Sequence, residues 1–154
     1  MTILEYYENN TGKVAKEVKV SAIEDVFSGE DLEIAKRVRQ KSEPGSCHYN
    51  AGMAMSPFNK EKYEVTFCEG IYAGLFPHCW NKVKNLETGK EYYVDFTLGS
   101  SGHYQLLEEW GKDIISLFNA RRQAFVPFEN GVWMTSKNKR ARSILLKHYP
   151  AFDR

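Results

Sequence analysis

The first amphipathic pattern in the chain lies between Ser28 and Pro44. Its apolar positions have the spacing of one helix face, and these are Leu32, Ile34, Ala35 and Val38. Ser28-Gly-Glu-Asp31 is typical of a helix start, lysine and arginine accumulate toward the other end, and Pro44-Gly45 stops the pattern. We therefore predict an amphipathic helix that covers one side of the core.

A second, shorter apolar run follows this helix. Ser46 is a favourable N-cap residue, and the sequence CHYNAGMAM after it is small and apolar enough to be buried. Ser56-Pro57 ends the run. We predict a short central helix over residues 47–55, with Cys47 in its first turn.

Strand patterns occupy the middle of the chain. Tyr63–Phe67 alternates in polarity, and Glu69–Leu75 continues it with two glycines that indicate a bulge or a close backbone approach. His78–Val83 and Glu91–Thr97 are predicted to form a hairpin around the polar turn at 85–90.

The remaining patterns are mostly helical. Tyr104–Trp110 and Asp113–Arg122 are predicted to be helical, Val132–Met134 to be a short strand, and a basic helix to begin at Ser136 and end near His148. No repeat or linker divides the chain. We expect one α+β domain over residues 1–154, in which the central helix with Cys47 packs on an antiparallel β-sheet.

Composition narrows the class of protein. Aromatic residues make up 14% of the chain, as in a packed globular protein. The formal net charge of +1 disfavours nucleic acid as a partner. No apolar run approaches the roughly 18 residues of a membrane span, and the first residues lack a signal-peptide pattern. We expect a cytoplasmic protein with no membrane partner.

The cysteines indicate a free, reactive thiol. Cys47, Cys68 and Cys79 are odd in number and form no CxxC pair, which argues for a reducing compartment and against a disulfide framework. Cys68 and Cys79 lie in apolar strand patterns and are expected to be structural. Cys47 differs, because a helix start and a nearby imidazole both lower the pKa of a thiol, and the thiolate is the nucleophile.

His78 and Asp95 are the candidates for the other members of a catalytic relay. An imidazole can take the thiol proton, and a carboxylate can orient the imidazole. Strand parity puts both side chains on one face of the hairpin. A two-residue turn at Thr88-Gly89, however, would place Asp95 opposite Lys82 and roughly 13 Å from His78. A longer loop over Asn85–Gly89, or a bulge, would bring the two residues level.

The residues around these positions resemble a known superfamily. Gly-Ser-Cys-His-Tyr-Asn-Ala, His-Cys-Trp-Asn-Lys-Val and Tyr-Tyr-Val-Asp-Phe-Thr occur in the Cys…H-x-W…D-x-T order of transglutaminase-like, papain-like cysteine enzymes. The resemblance covers residues 40–100. It implies a cysteine that opens a central helix packed on an antiparallel sheet. It also implies Cys47 as nucleophile, His78 as general base and acid, and Asp95 as the residue that orients His78.

Two further sets of residues are candidates for roles at such a site. Acyl transfer needs hydrogen-bond donors for the oxyanion. The Cys47 backbone N–H is the first candidate, and the side-chain candidates are Gln40, Asn50 and Asn81. The predicted cleft residues are Tyr49, Trp80, Tyr93, His103 and Tyr104. The aromatic ones suit a peptide-like or ring-bearing substrate.

Two other readings of the sequence stay open. Cys47, His78 and Asp95 are also acceptable zinc ligands, although each Cys-His or His-Cys dipeptide can offer only one side chain to a metal. The basic run Ser136–Ser143, with Lys147 and Arg121-Arg122, is a candidate surface for nucleic acid or an acidic protein. A solvated helix face is the usual explanation of such a run.

The favoured hypothesis is a thiol hydrolase or acyl transferase. Its substrate would be a peptide-like or acyl-bearing molecule, including a protein, with an amide, thioester or related acyl bond. No metal or other cofactor is expected. The sequence leaves open whether the enzyme is a peptidase, an amidase, a deamidase or an acyltransferase.

Overall fold

The described part of the chain folds into a mixed α+β structure built on a five-stranded antiparallel sheet. The computed structural model describes residues 14–74 and 76–110, together with positions 5, 8, 9 and 12. In chain order the elements are β1 (Lys16–Val18), a 3-10 helix (Ile23–Asp25), α1 (Gly29–Lys41), α2 (Cys47–Met53), β2 (Tyr63–Tyr72), β3 (Phe76–Asn85), β4 (Glu91–Val94) and β5 (Tyr104–Trp110). The strand order is β1-β5-β2-β3-β4.

Both helices predicted before residue 60 are present. α1 begins after Ser28, with Glu30 and Asp31 in its first turn and Arg39 and Lys41 in its last, as the helix dipole favours. α2 begins at Cys47, but it ends two residues earlier than expected, and Ser46 makes no capping side-chain hydrogen bond. In the part of the chain that the structure describes, no helix is long and apolar enough to cross a bilayer.

The β3–β4 hairpin has the longer loop that the relay requires. Asn81, Lys82, Val83 and Lys84 pair with Val94, Tyr93, Tyr92 and Glu91. The turn is therefore wider than a two-residue Thr88-Gly89 turn. Asn85 explains this width, because its Oδ1 accepts hydrogen bonds from the N–H groups of Glu87 at 3.0 Å and Thr88 at 3.1 Å. This register moves Asp95 two positions along β3 toward His78.

The prediction of a helix over Tyr104–Trp110 is wrong, because this segment is strand β5. β5 lies inside the sheet, between β1 and β2. Its pairing with β2 shifts between Glu69 and Gly70, so that Leu107 is the extra residue of a bulge. The bulge breaks the alternation of apolar and polar residues, and the sequence therefore resembles a helical pattern. The expected helices at 113–122 and 136–148 and the strand at 132–134 lie outside the described residues.

The two faces of the sheet cover separate apolar clusters. α1, α2 and the 3-10 helix pack on one face, in a cluster that includes Val26, Phe27, Ala35, Val38, Ala54, Phe58, Val83, Val94 and Phe96. The other face carries Val18, Val20, Cys68, Trp80, Tyr104 and Leu106. Val20 forms a bridge to Tyr93 in β4, and Ser21 N–H donates to the Tyr93 carbonyl at 2.7 Å. The two edges of the sheet therefore approach each other and enclose the second cluster.

Candidate active site

Asp95 lies directly after β4, in a turn that fixes its carboxylate. Its Oδ1 accepts hydrogen bonds from the backbone N–H groups of Thr97 at 2.9 Å and Leu98 at 3.2 Å. An aspartate commonly stabilises its own turn in this way. The carboxylate is buried, and Oδ1 is occupied by the turn. Oδ2 therefore faces the neighbouring strands.

His78 meets this second oxygen. Its Nε2 lies 2.7 Å from Asp95 Oδ2, and both side chains are buried. With Asp95 as the acceptor, the imidazole carries a proton on Nε2. The structure thus brings together the two residues that strand parity placed on one face.

Cys47 completes the chain of contacts. Its side chain forms a hydrogen bond with His78, and the residue is only half-buried. Since Nε2 is directed at Asp95, Nδ1 is the ring nitrogen left for the thiol. Cys47 opens α2, so the helix carries the sulfur to the open side of the imidazole. Cys68 and Cys79 are both buried, as expected of structural cysteines.

The surroundings of His78 favour its charged form. Burial disfavours a charged imidazolium, but hydrogen bonds to Asp95 and Cys47 and their negative charges outweigh it and raise the pKa of His78 to about 9. A proton therefore resides on both ring nitrogens at neutral pH. Such an imidazolium can stabilise a neighbouring thiolate and later donate a proton.

Tyr104 donates a further hydrogen bond to the Asp95 carboxylate. Its hydroxyl donates to Asp95 Oδ2 at 2.6 Å and lies 3.3 Å from the Gly99 carbonyl. The side chain is only 1% exposed, so it cannot line a cleft as the sequence suggested. Burial and the bond to Asp95 raise the pKa of Tyr104, which keeps the hydroxyl protonated as a donor. Tyr104 is therefore a positioning residue for Asp95.

Three aromatic rings surround the imidazole. The centroids of Tyr72, Trp80 and Tyr104 lie 5.6, 6.0 and 6.2 Å from that of His78. Trp80 is buried, so it packs in the core and is not a cleft wall. The proximity of these rings excludes water from one side of His78 and strengthens its hydrogen bonds. The sequence had not indicated Tyr72, which no motif distinguishes.

The two asparagines proposed as oxyanion donors have structural roles. Asn50 Nδ2 donates to the Glu43 carbonyl and to Thr97 Oγ1, both at 2.9 Å. It thereby joins α2 to the turn that contains Asp95. Asn81 Nδ2 donates to the Ala51 carbonyl at 2.8 Å and the Thr66 carbonyl at 3.2 Å, which holds α2 on the sheet. Both hydrogens of each amide are therefore in use.

The other sequence candidates lie away from the imidazole or outside the described side chains. Gln40 is exposed in the last turn of α1. His103 is exposed, with Nδ1 2.9 Å from Glu17 Oε1. Tyr93 donates its hydroxyl to Glu109 at 2.9 Å, and Glu109 also pairs with Lys82 at 2.7 Å. The side chain of Tyr49 is not among those described.

A zinc site fits this arrangement poorly. His78 Nε2 is engaged by Asp95, and the ring also forms a hydrogen bond with Cys47. Zinc would have to take the place of the proton in one of these bonds, with its ligands converging on one point. Within residues 14–74 and 76–110, no group of three or more His, Cys, Asp or Glu side chains converges in a way that would hold a metal ion.

Comparison with family models, curated proteins and solved structures gives no match to this chain. The functional assignment therefore depends on the geometry of Cys47, His78 and Asp95. Hydrogen bonds link three groups where α2 meets the sheet: a half-exposed thiol, an imidazole with a raised pKa, and a buried carboxylate. This arrangement can activate a nucleophile and transfer its proton.

Proposed function

We propose that this protein is a cysteine-dependent hydrolase or acyl transferase with a papain-like or transglutaminase-like core. The observation that carries the proposal is the continuous hydrogen-bonded chain from Cys47 through His78 to the buried Asp95. A structural cysteine needs neither partner. The substrate class is a peptide-like or acyl-bearing compound with an amide, thioester or related acyl bond. A reducing cytoplasm suits a protein whose cysteines form no disulfide.

In the first step, the thiol proton resides on His78 and the Cys47 thiolate attacks the acyl carbon. A sulfur–carbon bond forms, and the carbonyl electrons move to the oxygen. The carbonyl then re-forms as the bond to the leaving group breaks, and His78 gives its proton to the leaving nitrogen or sulfur. The Cys47 backbone N–H is the proposed donor to the oxyanion, since the amides of Asn50 and Asn81 are engaged elsewhere.

In the second step, water or an acceptor amine attacks the acyl-enzyme. His78, now neutral, takes a proton from the attacking group, and the thiolate leaves as the new acyl bond forms. Asp95 stays an anion throughout and holds the ring with Nε2 toward Oδ2. Water as the acceptor makes the protein a hydrolase, and an amine makes it a transferase.

An acyl-enzyme trap tests the proposal directly. The protein is incubated with p-nitrophenyl acetate, quenched with acid, and digested for peptide mass spectrometry. We expect the acetyl group on Cys47 and none on the buried Cys68 and Cys79. Cys47→Ala should abolish the adduct, and His78→Gln should slow its formation on the order of a hundredfold, as loss of a general acid–base typically does.

Two outcomes of this experiment would contradict the proposed function. If acetylation occurs only at surface lysines, or if Cys47 is acetylated equally fast in wild type and His78→Gln, Cys47 is not an activated nucleophile. Matched circular dichroism spectra of the variants establish that the difference is chemical and not a loss of folding.

A further inference from the structure

A groove lies between α1 and α2, beside the helix start that carries Cys47. Its outer part has a volume of about 370 Å³ and an apolar floor with a basic rim, formed by Ile34, Val38, Met53, Pro57, Arg37 and Lys41. Its inner part, of about 260 Å³, is lined by Lys41, Glu43, Ser46, Asn50 and Met53. The two parts share Lys41 and Met53 and therefore adjoin each other. The outer volume falls within the range of ligand sites, roughly 300 to 1,000 Å³, and the inner volume lies just below it.

The inner part of the groove adjoins Cys47 along the chain, although Cys47 itself does not line it. Ser46 directly precedes Cys47, and Ser46, Asn50 and Met53 have the spacing of one helix face. The groove therefore follows the side of α2 that adjoins Cys47. From Ser46 to Met53 the helix rises about 10 Å, which an extended peptide spans with about three residues.

The basic residues of α1 fall into two groups, those in ion pairs and those on the groove side. Lys36 pairs with Glu33 at 3.3 Å, and Arg39 pairs with Glu24 at 3.1 Å. Arg37 and Lys41 lie one turn apart on the groove side, and among the described residues neither forms an ion pair. The groove thus presents two uncompensated cations at its outer end.

The charges at the inner end balance, because Glu43 and Lys41 both line it. The outer end is lined by Arg37 and Lys41 without a described carboxylate. A bound anion is therefore attracted more strongly at the outer end. The charge pattern therefore places a ligand carboxylate near Arg37 and Lys41, away from the reacting atoms, with apolar groups between them over Met53.

We propose that this groove binds the substrate of the Cys47 site and selects acidic peptide-like acyl compounds, with a carboxylate about three residues from the reacting carbonyl and an apolar side chain between them. The inference rests on the proposed function. It adds a substrate class to it, and it assigns Arg37 and Lys41 as the residues that determine specificity.

Three tripeptide chloromethyl ketones probe the groove without knowledge of the natural substrate. They have the sequences acetyl-Glu-Leu-Gly, acetyl-Gln-Leu-Gly and acetyl-Lys-Leu-Gly before the reactive group. The Cys47 thiolate displaces chloride from each and forms a thioether. We expect the Glu probe to react about threefold to tenfold faster than the Lys probe, as two exposed ion pairs allow. The preference should fall as salt is added.

Two double variants with equal charge change separate the groove from the helix as a whole. Arg37→Glu/Lys41→Glu should reverse the preference for the Glu probe. Lys36→Glu/Arg39→Glu removes the ion-paired cations of the same helix and should leave the preference intact. Iodoacetamide, which is too small to reach the outer groove, reports the reactivity of Cys47 in every variant.

The outcomes distinguish this inference from the function on which it rests. If wild type shows no preference, or if both double variants change it equally, the groove does not select acidic substrates. Normal labelling of Cys47 by iodoacetamide in that case leaves the proposed function standing. If Cys47 resists iodoacetamide in wild type, both the function and the groove assignment are overturned.

Discussion

The hydroxyl of Tyr104 lies 2.6 Å from Asp95 Oδ2, the oxygen that also faces His78 Nε2 at 2.7 Å. Asp95 is thereby held by three parts of the fold: its own turn, β3 and β5. The orientation of the imidazole depends on this carboxylate, so strand β5 contributes to the site through Tyr104.

Removing the Tyr104 hydroxyl should weaken both the site and the fold. Tyr104→Phe deprives a buried carboxylate of a donor, and we expect a loss of about 1.5–3 kcal/mol in the free energy of unfolding. Acetylation of Cys47 should slow on the order of tenfold, because the carboxylate no longer holds one orientation. Urea denaturation and the acyl-enzyme trap measure the two effects.

Tyr63→Phe is the matched control for this change. Tyr63 is also buried, in the cluster on the other face of the sheet, and it pairs with Asn85, seven positions along β3 from His78. Equal slowing of acetylation in the two variants would contradict a positioning role for Tyr104.

Neutralising Asp95 should lower the pKa of His78. Burial lowers this pKa, and the hydrogen bond to Asp95 is the largest of the opposing contributions that raise it to about 9, followed by the bond to Cys47 and the charge of Asp95. In Asp95→Asn the burial remains and the charge is lost, so the pKa should fall toward or below its ordinary value of 6.5. NMR titration of the His78 ring proton measures it, and an unchanged pKa would contradict the pairing.

The raised pKa of His78 also predicts how stability varies with pH. The folded pKa of about 9 exceeds the unfolded value of 6.5, so the folded state binds the proton more tightly. This contribution, roughly 3 kcal/mol, is complete just below pH 6.5 and is lost as the pH rises through 9. In urea denaturation, the stability difference between wild type and His78→Gln should therefore be larger near pH 6.5 than above pH 9. A difference that grows between pH 7 and 9 would contradict this.

Gly70 should tolerate no side chain. A Cβ at this position would lie 2.0 Å from the Gln105 carbonyl oxygen and 2.7 Å from Trp80 Cη2. Because the first of these atoms belongs to the backbone of β5, the strands must separate, and we expect Gly70→Ala to cost about 3 kcal/mol or more. Thermal unfolding measures the loss.

Gly89→Ala provides the comparison for Gly70. Gly89 has a φ of +76° and open space around its Cα, so alanine there meets only backbone strain of about 1 kcal/mol. If the two variants were equally stable, the close approach of β2 and β5 at Gly70 would not matter for stability.

Local patterns in the sequence determine a large part of this structure. The helices at α1 and α2, the strand β2 and the hairpin of β3 and β4 follow from periodicity and from turn residues, which act over a few neighbouring positions. The period of two in a strand also places His78 and Asp95 on one face. The order of cysteine, histidine and aspartate predicted which three side chains form the candidate site.

Only the tertiary structure decided how these parts meet. Asn85 Oδ1 stabilises a wider turn than Thr88-Gly89 suggested, and this turn sets the register of His78 and Asp95. Pairing with β1 and β2 makes β5 a strand, since its bulge hides the alternation that would have marked it in the sequence. Tyr104 acquires its role through that pairing. Contacts between distant segments depend on register and burial, which no local pattern contains.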